Sequence, residues 1–404
     1  MDVDPFSPFT LGPLTLRNRV IKSATYEGLS RRGQVTQELV DFHVRPAAGG
    51  VAMTTVAYCA VSKDGRTDRH QLLWTEEALA GMRVLTDAVH EQGAAVSAQL
   101  GHGGPVAEPR SNQAPALAPG RRLNTTAFNV SAAATVADLQ RVVDDHRRAA
   151  AMAVQAGFDA VEVHLGHNYL ASAFLSPRLN RRRDGYGGSL ANRARLTREI
   201  AAAVREGSGG RLAVLGKLNL EDGVRGGLTV DESTQVAQWL EADGSVDGLV
   251  LTAGSSLLNP MYLFRGDAPR DDFAAVMPRV VQLGLKVVGK RVLREYPFEE
   301  LYLLQQAKQV RAAVSMPLVL VGGVSSGPAL QRAMDEGFEL VEMGRALLRE
   351  PDLVNRLRTN SDLRGKCIHC NRCMPTNYTG TRCVVTHPIT PRTDAWRSGD
   401  SVVG

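Results

Sequence analysis

The sequence predicts an α/β protein: a (β/α)8 TIM barrel with long β-α loops and a short C-terminal extension that carries a cysteine cluster. Three observations predict it. Eight short apolar runs alternate with helical patterns along the 404 residues, which is the arithmetic of such a barrel. Polar residues gather just after the C-terminal ends of several different runs, where a barrel builds its active face. The first run ends in Ser23-Ala24-Thr25-Tyr26, without the glycine fingerprint that follows the first strand of a doubly wound sheet.

Taken in order, strands are predicted near Arg19–Thr25, Val51–Ala57, Ala94–Leu100, Asp159–His164, Leu212–Asn219, Gly248–Thr252, Pro317–Val321 and Leu340–Met343. Helices are predicted over Thr36–Val44, Glu76–Gln92, Val136–Ala156, Ser189–Glu206, Asp231–Ala242, Phe298–Val314, Ser326–Glu336 and Arg345–Arg358. In the second of these, Leu79, Met82, Val84, Leu85 and Val89 form an apolar face, and Gly157 is a natural stop for the third. Three connections are long: 102–135, read as a lid or hairpin, 166–188 and 254–297. All follow strands, so all rise on one face and wall one pocket. The division expected is a barrel over residues 1–360 and an extension over 361–404.

Composition narrows the function. A hydrophobic content of 44% is ordinary, and the net charge of +5 is mild, with acids and bases interspersed. No basic run with interleaved aromatics suggests nucleic acid. No apolar run approaches the roughly 18 residues of a membrane helix, and the N-terminus lacks the basic and apolar regions of a signal peptide. A cytoplasmic protein with a small-molecule partner is expected, and a homo-oligomer is compatible with the sequence.

The richest stretch is Val161–Arg193. Val161, Val163 and Leu165 alternate with Glu162 and His164, then His167 and Tyr169 follow within a few residues. Two neutral imidazoles could polarise a carbonyl, and a phenol with a reference pKa of about 10 could supply a proton. Metal ligation by the two histidines lacks a third ligand at suitable spacing. The arginines of 178–193 read as loop scaffolding. Gln99 ends the third strand and offers a donor and an acceptor. Lys217 ends the fifth and must face either the mouth or a carboxylate. Gly322-Gly323 and Gly344-Arg345 follow the last two strands, the junctions at which barrels frequently bind phosphate.

From Leu16-Arg17-Asn18-Arg19 to Gly344-Arg345-Ala346-Leu347 the chain resembles the old yellow enzyme family of FMN-dependent ene-reductases. The match is densest over His164-Leu-Gly-His167-Asn-Tyr169 and Tyr186-Gly-Gly-Ser-Leu-Ala-Asn192-Arg193. The resemblance implies bound FMN and NAD(P)H as reductant. It implies that Ser23, Ala24 and Thr25 contact the flavin through backbone, that Gln99 meets its pyrimidine edge, and that Gly323, Gly344 and Arg345 hold its phosphate. Lys217 stands where the family usually has arginine, beside the N1–C2 side. His164 and His167 would grip a carbonyl oxygen, with Tyr169 as proton donor to an α,β-unsaturated substrate. Tyr26 replaces a smaller residue, and with Tyr262 it is a candidate pocket residue. An amine demethylase or desaturase would use the same pocket; a flavin-free phosphosugar lyase would use Lys217 as a Schiff-base lysine.

The extension reads Cys367-x2-Cys370-x2-Cys373, then Cys383. Four thiolates at this spacing suit an iron–sulfur cluster or tetrahedral zinc; free thiols stay open as the third alternative. The motif resembles the cluster segment of trimethylamine dehydrogenase and 2,4-dienoyl-CoA reductase, with a shorter final spacing.

Overall fold

The computed structural model describes residues 3–124, 129–276, 282, 289, 290, 292–387 and 403. Eight parallel strands close into a barrel: β1 (Val20–Lys22), β2 (Met53–Ala60), β3 (Ala95–Gly101), β4 (Ala160–Leu165), β5 (Ala213–Asn219), β6 (Gly248–Thr252), β7 (Leu318–Val321) and β8 (Leu340–Met343). Helices α1 (Gln37–Ala48), α2 (Glu76–His90), α3 (Val136–Gln155), α4 (Leu190–Ser208), α5 (Val230–Ala242), α6 (Leu304–Arg311), α7 (Gly327–Asp335) and α8 (Arg345–Arg349) lie in the connections. Their starts are chemically marked. Thr135 with Asp138 and Thr229 with Glu232 form capping boxes ahead of α3 and α5, satisfying backbone donors that a helix start leaves orphaned.

Side chains alternate across each strand, so register sets the interior. Ala213 stands beside Ala160, Gln99 beside Glu162 and Lys217 beside His164. The lower interior is apolar: Ile21, Met53, Leu215, Val250, Val319 and Leu340 pack together with Leu11 and Leu16. The last two belong to an N-terminal hairpin, Phe9–Leu11 with Leu14–Leu16, which plugs the barrel floor beneath β6, where Leu11 approaches Gly248. The polar inward residues of the same strands stand one layer above.

Several elements depart from the sequence-based expectation, each for a local reason. The first strand keeps three residues, and Ser23–Tyr26 cross the mouth without ladder pairing. The helix expected over Phe298–Val314 forms only as α6, because Leu301 sits at φ 59°, a left-handed conformation that no right-handed helix accommodates. The helix expected over Arg345–Arg358 is cut at Pro351 into α8 and Leu353–Thr359; proline disfavours helical backbone at the residue before it, and Glu350 is at ψ 85°. The connection 102–135 is an insert with a three-stranded sheet, Leu117–Ala118, Arg122–Asn124 and Asn129–Ala133, the last strand in the middle. Its tip, 125–128, lies outside the described residues, as do parts of 254–297 and of the extension. Among the described residues no helix is long and apolar enough to cross a membrane.

The floor is a packed layer, so truncation should be felt. Leu215→Ala is expected to lower unfolding free energy by about 2–5 kcal/mol, read from urea denaturation; an unchanged midpoint would mean that this layer is loosely filled.

Candidate active site

β4 delivers two inward side chains, Glu162 and His164, while Val161, Val163 and Leu165 join the outer core. After the strand the chain turns sharply: His167 and Asn168 take φ 60° and 58°. Two consecutive left-handed non-glycine residues are costly, and the turn is bolted from behind. Asn219 Oδ1 accepts from the His167 amide at 3.0 Å, and Asn168 donates to Asp222 at 3.0 Å. The turn brings three rings together. Tyr169 stacks on His164 with centroids 4.2 Å apart, His167 meets His164 edge-on at 5.1 Å, and Tyr58 meets Tyr169 at 5.2 Å.

All three groups stay neutral near pH 7. Burial, then His167 and Lys217, holds His164 well below the usual imidazole range. Burial followed by the Lys217 charge lowers His167 to about 3. Burial raises the Tyr169 phenol. His164 Nδ1 accepts from the Gly166 amide at 3.3 Å, which places its proton on Nε2. His167 Nε2 pairs with Thr252 Oγ1 at 2.9 Å. Among the described residues the Tyr169 hydroxyl has no protein partner. The arrangement offers neutral hydrogen-bond donors.

Directly beneath lies a buried charge cluster. Lys217 Nζ contacts both oxygens of Glu162 at 3.0 Å and Glu342 Oε2 at 2.8 Å. Gln99 donates to Glu162 at 2.5 Å, and Ser23 donates to Glu342 at 2.7 Å. Glu162, Glu342 and Lys217 are 0%, 1% and 3% exposed. Two carboxyls share one ammonium in direct contact, and the buried Lys22 ammonium lies near enough to act on both; a dry interior penalises such charges unless they are paired. Burial and the neighbouring Glu342 accordingly raise Glu162. Burial alone would raise Glu342 too, but Lys217 outweighs it and holds Glu342 low. Lys217 is raised, because both carboxylates outweigh its own desolvation. An ammonium has three protons, and all three are engaged, so Lys217 is neither a free nucleophile nor free to reach a further acceptor.

The ends of β7, β8 and β1 are adjacent, joined where the Ser23 amide donates to the Met343 carbonyl at 2.9 Å. Ala24, Thr25, Gly323, Gly344 and Arg345 are partly exposed along this rim. Among the described residues the amides of Gly323, Gly344 and Arg345 have no acceptor, and a Cβ on Gly344 would meet only Ser23 and Thr25, at 3.9 and 4.0 Å. Unpaired amides beside bare glycine make an anion cradle. Next to it Arg265 lies over Tyr262, Tyr302 and Tyr296 at 4.8, 5.5 and 5.4 Å, its Nε buried without a partner. Arg345 faces the extension as well: it donates to the Arg265 carbonyl at 2.8 Å and to Asn371. Exposed rim backbone, unpaired amides and the orphaned Arg265 fit the phosphate and ring edge of FMN. Tyr262 donates to Glu221 at 2.5 Å and belongs to the Arg265 cluster. Tyr26 instead lies with Tyr58 and Tyr169; burial, with Asp68 and Tyr58, raises its phenol.

Cys367, Cys370, Cys373 and Cys383 are free thiols that line one cavity with Arg345 and Arg349. Among the described residues no three His, Cys, Asp or Glu side chains converge on one point. A cluster seats each thiolate on a different iron, so its ligands stand further apart. The segment is clamped to the mouth: Thr381 donates through Oγ1 to the Tyr26 carbonyl at 2.6 Å and through its amide to the Glu27 carbonyl at 2.7 Å.

Glu162, Glu342 and Arg265 are the residues that sequence reasoning passes over. The signal for the two glutamates was present: each is a charged residue inside an otherwise apolar strand, at an inward position. Arg265 had a weaker signal: the 254–297 connection carries it beside Tyr262, but Tyr296 and Tyr302 come from later in the chain.

The comparisons agree with this architecture. The family model described as the NADH:flavin oxidoreductase / NADH oxidase family matches residues 4–251. A curated relative, the 4,4'-dithiodibutanoate disulfide reductase of Rhodococcus erythropolis, is 54% identical over 387 residues, 96% of each chain. The solved old yellow enzyme homologue from Zymomonas mobilis superposes with a TM-score of 0.72 at 21% identity, covering 91% of this chain and 96% of that one. A 2-naphthoyl-CoA reductase superposes at 0.77 with 22% identity and 91% coverage, but the chain spans only 54% of its length.

The charge cluster sets a pH signature. Glu162 has a folded value above its unfolded one, so its contribution is complete in acid and is lost as pH rises past the usual carboxylate range. Lys217→Met strands both carboxyls and raises both. The variant should lose about 3–5 kcal/mol at neutral pH and regain part of it at pH 5, read by urea denaturation at the two values. A loss independent of pH would contradict the buried charge cluster.

Proposed function

Because the chain belongs to the NADH:flavin oxidoreductase / NADH oxidase family, we propose that this FMN-dependent NAD(P)H oxidoreductase cleaves the disulfide bond of small organic acids. The observation that carries this reading is the identity to the Rhodococcus disulfide reductase, which runs through nearly the whole of both chains. In balance, NAD(P)H, a proton and one disulfide give NAD(P)⁺ and two thiols. Bound FMN supplies the two-electron relay between nucleotide and substrate, chemistry that no side chain here can perform.

The chain's own residues position and polarise. The rim amides of Gly323, Gly344 and Arg345, with Arg265, would hold the flavin phosphate, and Ser23–Thr25 and Gln99 its ring edge. His164 presents Nε2–H to the pocket, and the Tyr169 hydroxyl stands beside it. As neutral donors they stabilise negative charge that develops on a leaving sulfur without adding a counter-ion. The phenol, held protonated by its burial, donates a hydrogen bond to the departing thiolate, whose proton comes from solvent.

A second reading is reduction of the C=C bond of α,β-unsaturated carbonyl compounds. The paired neutral imidazoles favour it, because they suit a carbonyl oxygen as well as a thiolate. A flavin-free lyase has no support, since Lys217 is charged and fully engaged. For the extension we propose an iron–sulfur cluster on Cys367, Cys370, Cys373 and Cys383, supported by four thiols on one cavity.

Three measurements check these assignments. NAD(P)H oxidation with 4,4'-dithiodibutanoate should release two thiols per nucleotide, and exceed turnover with 2-cyclohexenone; the reverse order would transfer the function to enone reduction. His164→Ala should lower kcat/KM by on the order of 10²-fold. Anaerobically purified protein should contain iron and acid-labile sulfide, lost together in Cys370→Ala; protein with neither element, or with zinc alone, would remove the cluster.

A further inference from the structure

Three of the six arginines between residues 178 and 195 are tied to the scaffold. Arg182 donates to the carbonyls of Pro119 and Ala134 at 3.1 and 2.7 Å and pairs with Asp184 at 2.5 Å. Arg193 spans Leu175 and Glu232, and Arg195 holds the Gly185 carbonyl at 2.7 Å. Arg178 and Arg181 do neither. With Arg121 and Arg122 of the insert, and with Arg182 already paired to Asp184, they line a cleft of about 370 Å³ together with Pro119 and Leu179. Among the described residues none of the guanidiniums of Arg121, Arg122, Arg178 and Arg181 has a carboxylate or hydrogen-bond partner. The undescribed tip of the insert, 125–128, contains no acidic residue.

Like charges gathered without counter-charges repel one another, and the penalty grows as they leave water. Arg122 is half-buried, and burial followed by Arg178 and Arg181 lowers its proton affinity. The cost is offset when an anion enters. We propose that this cleft binds the phosphate-bearing adenosine end of the reducing dinucleotide and thereby selects NADPH over NADH.

Charge and place both support that ligand. A phosphate monoester carries about −1.5 to −2 at neutral pH and accepts several bidentate guanidinium forks. A single carboxylate would satisfy one fork and leave the others facing each other. The cleft is built from the loops that leave β3 and β4, the same face that carries His164 and Tyr169. Only the helix Leu170–Leu175 separates Tyr169 from the arginine loop, roughly 9 Å of rise at 1.5 Å per residue, so a dinucleotide could lay its nicotinamide at the mouth and its adenosine in the cleft. The inference rests on pyridine nucleotide as the reductant, and not on which substrate is reduced.

The test is calorimetric titration of the FMN-loaded protein with adenosine 2′,5′-bisphosphate, 5′-AMP and inorganic pyrophosphate. The wild type is set beside the double variant Arg178→Ala/Arg181→Ala and the milder Arg178→Lys, with melting temperature and flavin absorbance establishing that each is folded. The bisphosphate is expected to bind at least about tenfold more tightly than 5′-AMP, and to lose at least about tenfold in the double variant, which removes two charge-assisted forks. Arg178→Lys, which keeps the charge and loses the fork, should fall between. Pyrophosphate binding as tightly as the bisphosphate would overturn the dinucleotide assignment and leave a general phosphate site. Bisphosphate affinity unchanged in both variants would overturn the site itself. Failure of disulfide cleavage would leave these titrations unaffected, so the two claims fail separately.

Discussion

The barrel's upper half depends on one ammonium. Lys217 reaches across the interior to Glu162 on β4 and Glu342 on β8, and so ties three strands at the level where apolar packing stops. Below it, side chains fill space; above it, they line a mouth. The partners of the cluster extend the tie: Gln99 brings in β3 and Ser23 brings in the segment after β1. Every group presented at the mouth stands on a strand end whose spacing this layer fixes. The same positive charge adds to the burial that keeps both histidines neutral, so the tie between the strands is also a contributory cause of the pocket's proton state.

That cause was only half legible in the sequence. Alternation along VEVHL placed Glu162 and His164 on one face, and the eight-fold repeat of runs placed that face inside a barrel. What alternation cannot reveal is which inward charges meet, because contact between β4, β5 and β8 is set by closure and stagger. The sequence left Lys217 two environments, mouth or carboxylate, and three-dimensional register sets it against two carboxylates. Helix limits failed where a local rule overrode a periodic pattern, at Leu301 and at Pro351. The His164–His167–Tyr169 grouping was readable because all three lie within six residues. The rim was readable as glycines, but the turning of Arg345 toward Asn371 was not, since that contact depends on where the extension folds back.

The extension is more than an appendage to the barrel. Thr381 pairs with backbone at Tyr26 and Glu27, Gly28 has no room for a Cβ because the Asn377 carbonyl stands 1.9 Å from where it would lie, and Gly266 is crowded in the same way by the His369 carbonyl at 2.1 Å. The cysteine segment is thus buttressed against two of the loops that frame the mouth, and Arg345 belongs both to the glycine rim and to the cavity that the thiols line. The extension meets the mouth through these backbone contacts and through Tyr378, which lies near enough to Tyr169 to act on its phenol.

The turn at His167 and Asn168 has a consequence for how this pocket can diversify. Two left-handed residues store strain of roughly 1–3 kcal/mol each, and the groups that retain them, Asn219 and Asp222, sit at and just beyond the end of the neighbouring strand. The orientation of the imidazoles is therefore written in residues that a ligand never meets. A lineage could re-aim its donors toward a differently shaped substrate by altering those rear anchors, keeping every pocket-lining side chain intact. Comparison of pocket residues alone would then record two such enzymes as identical.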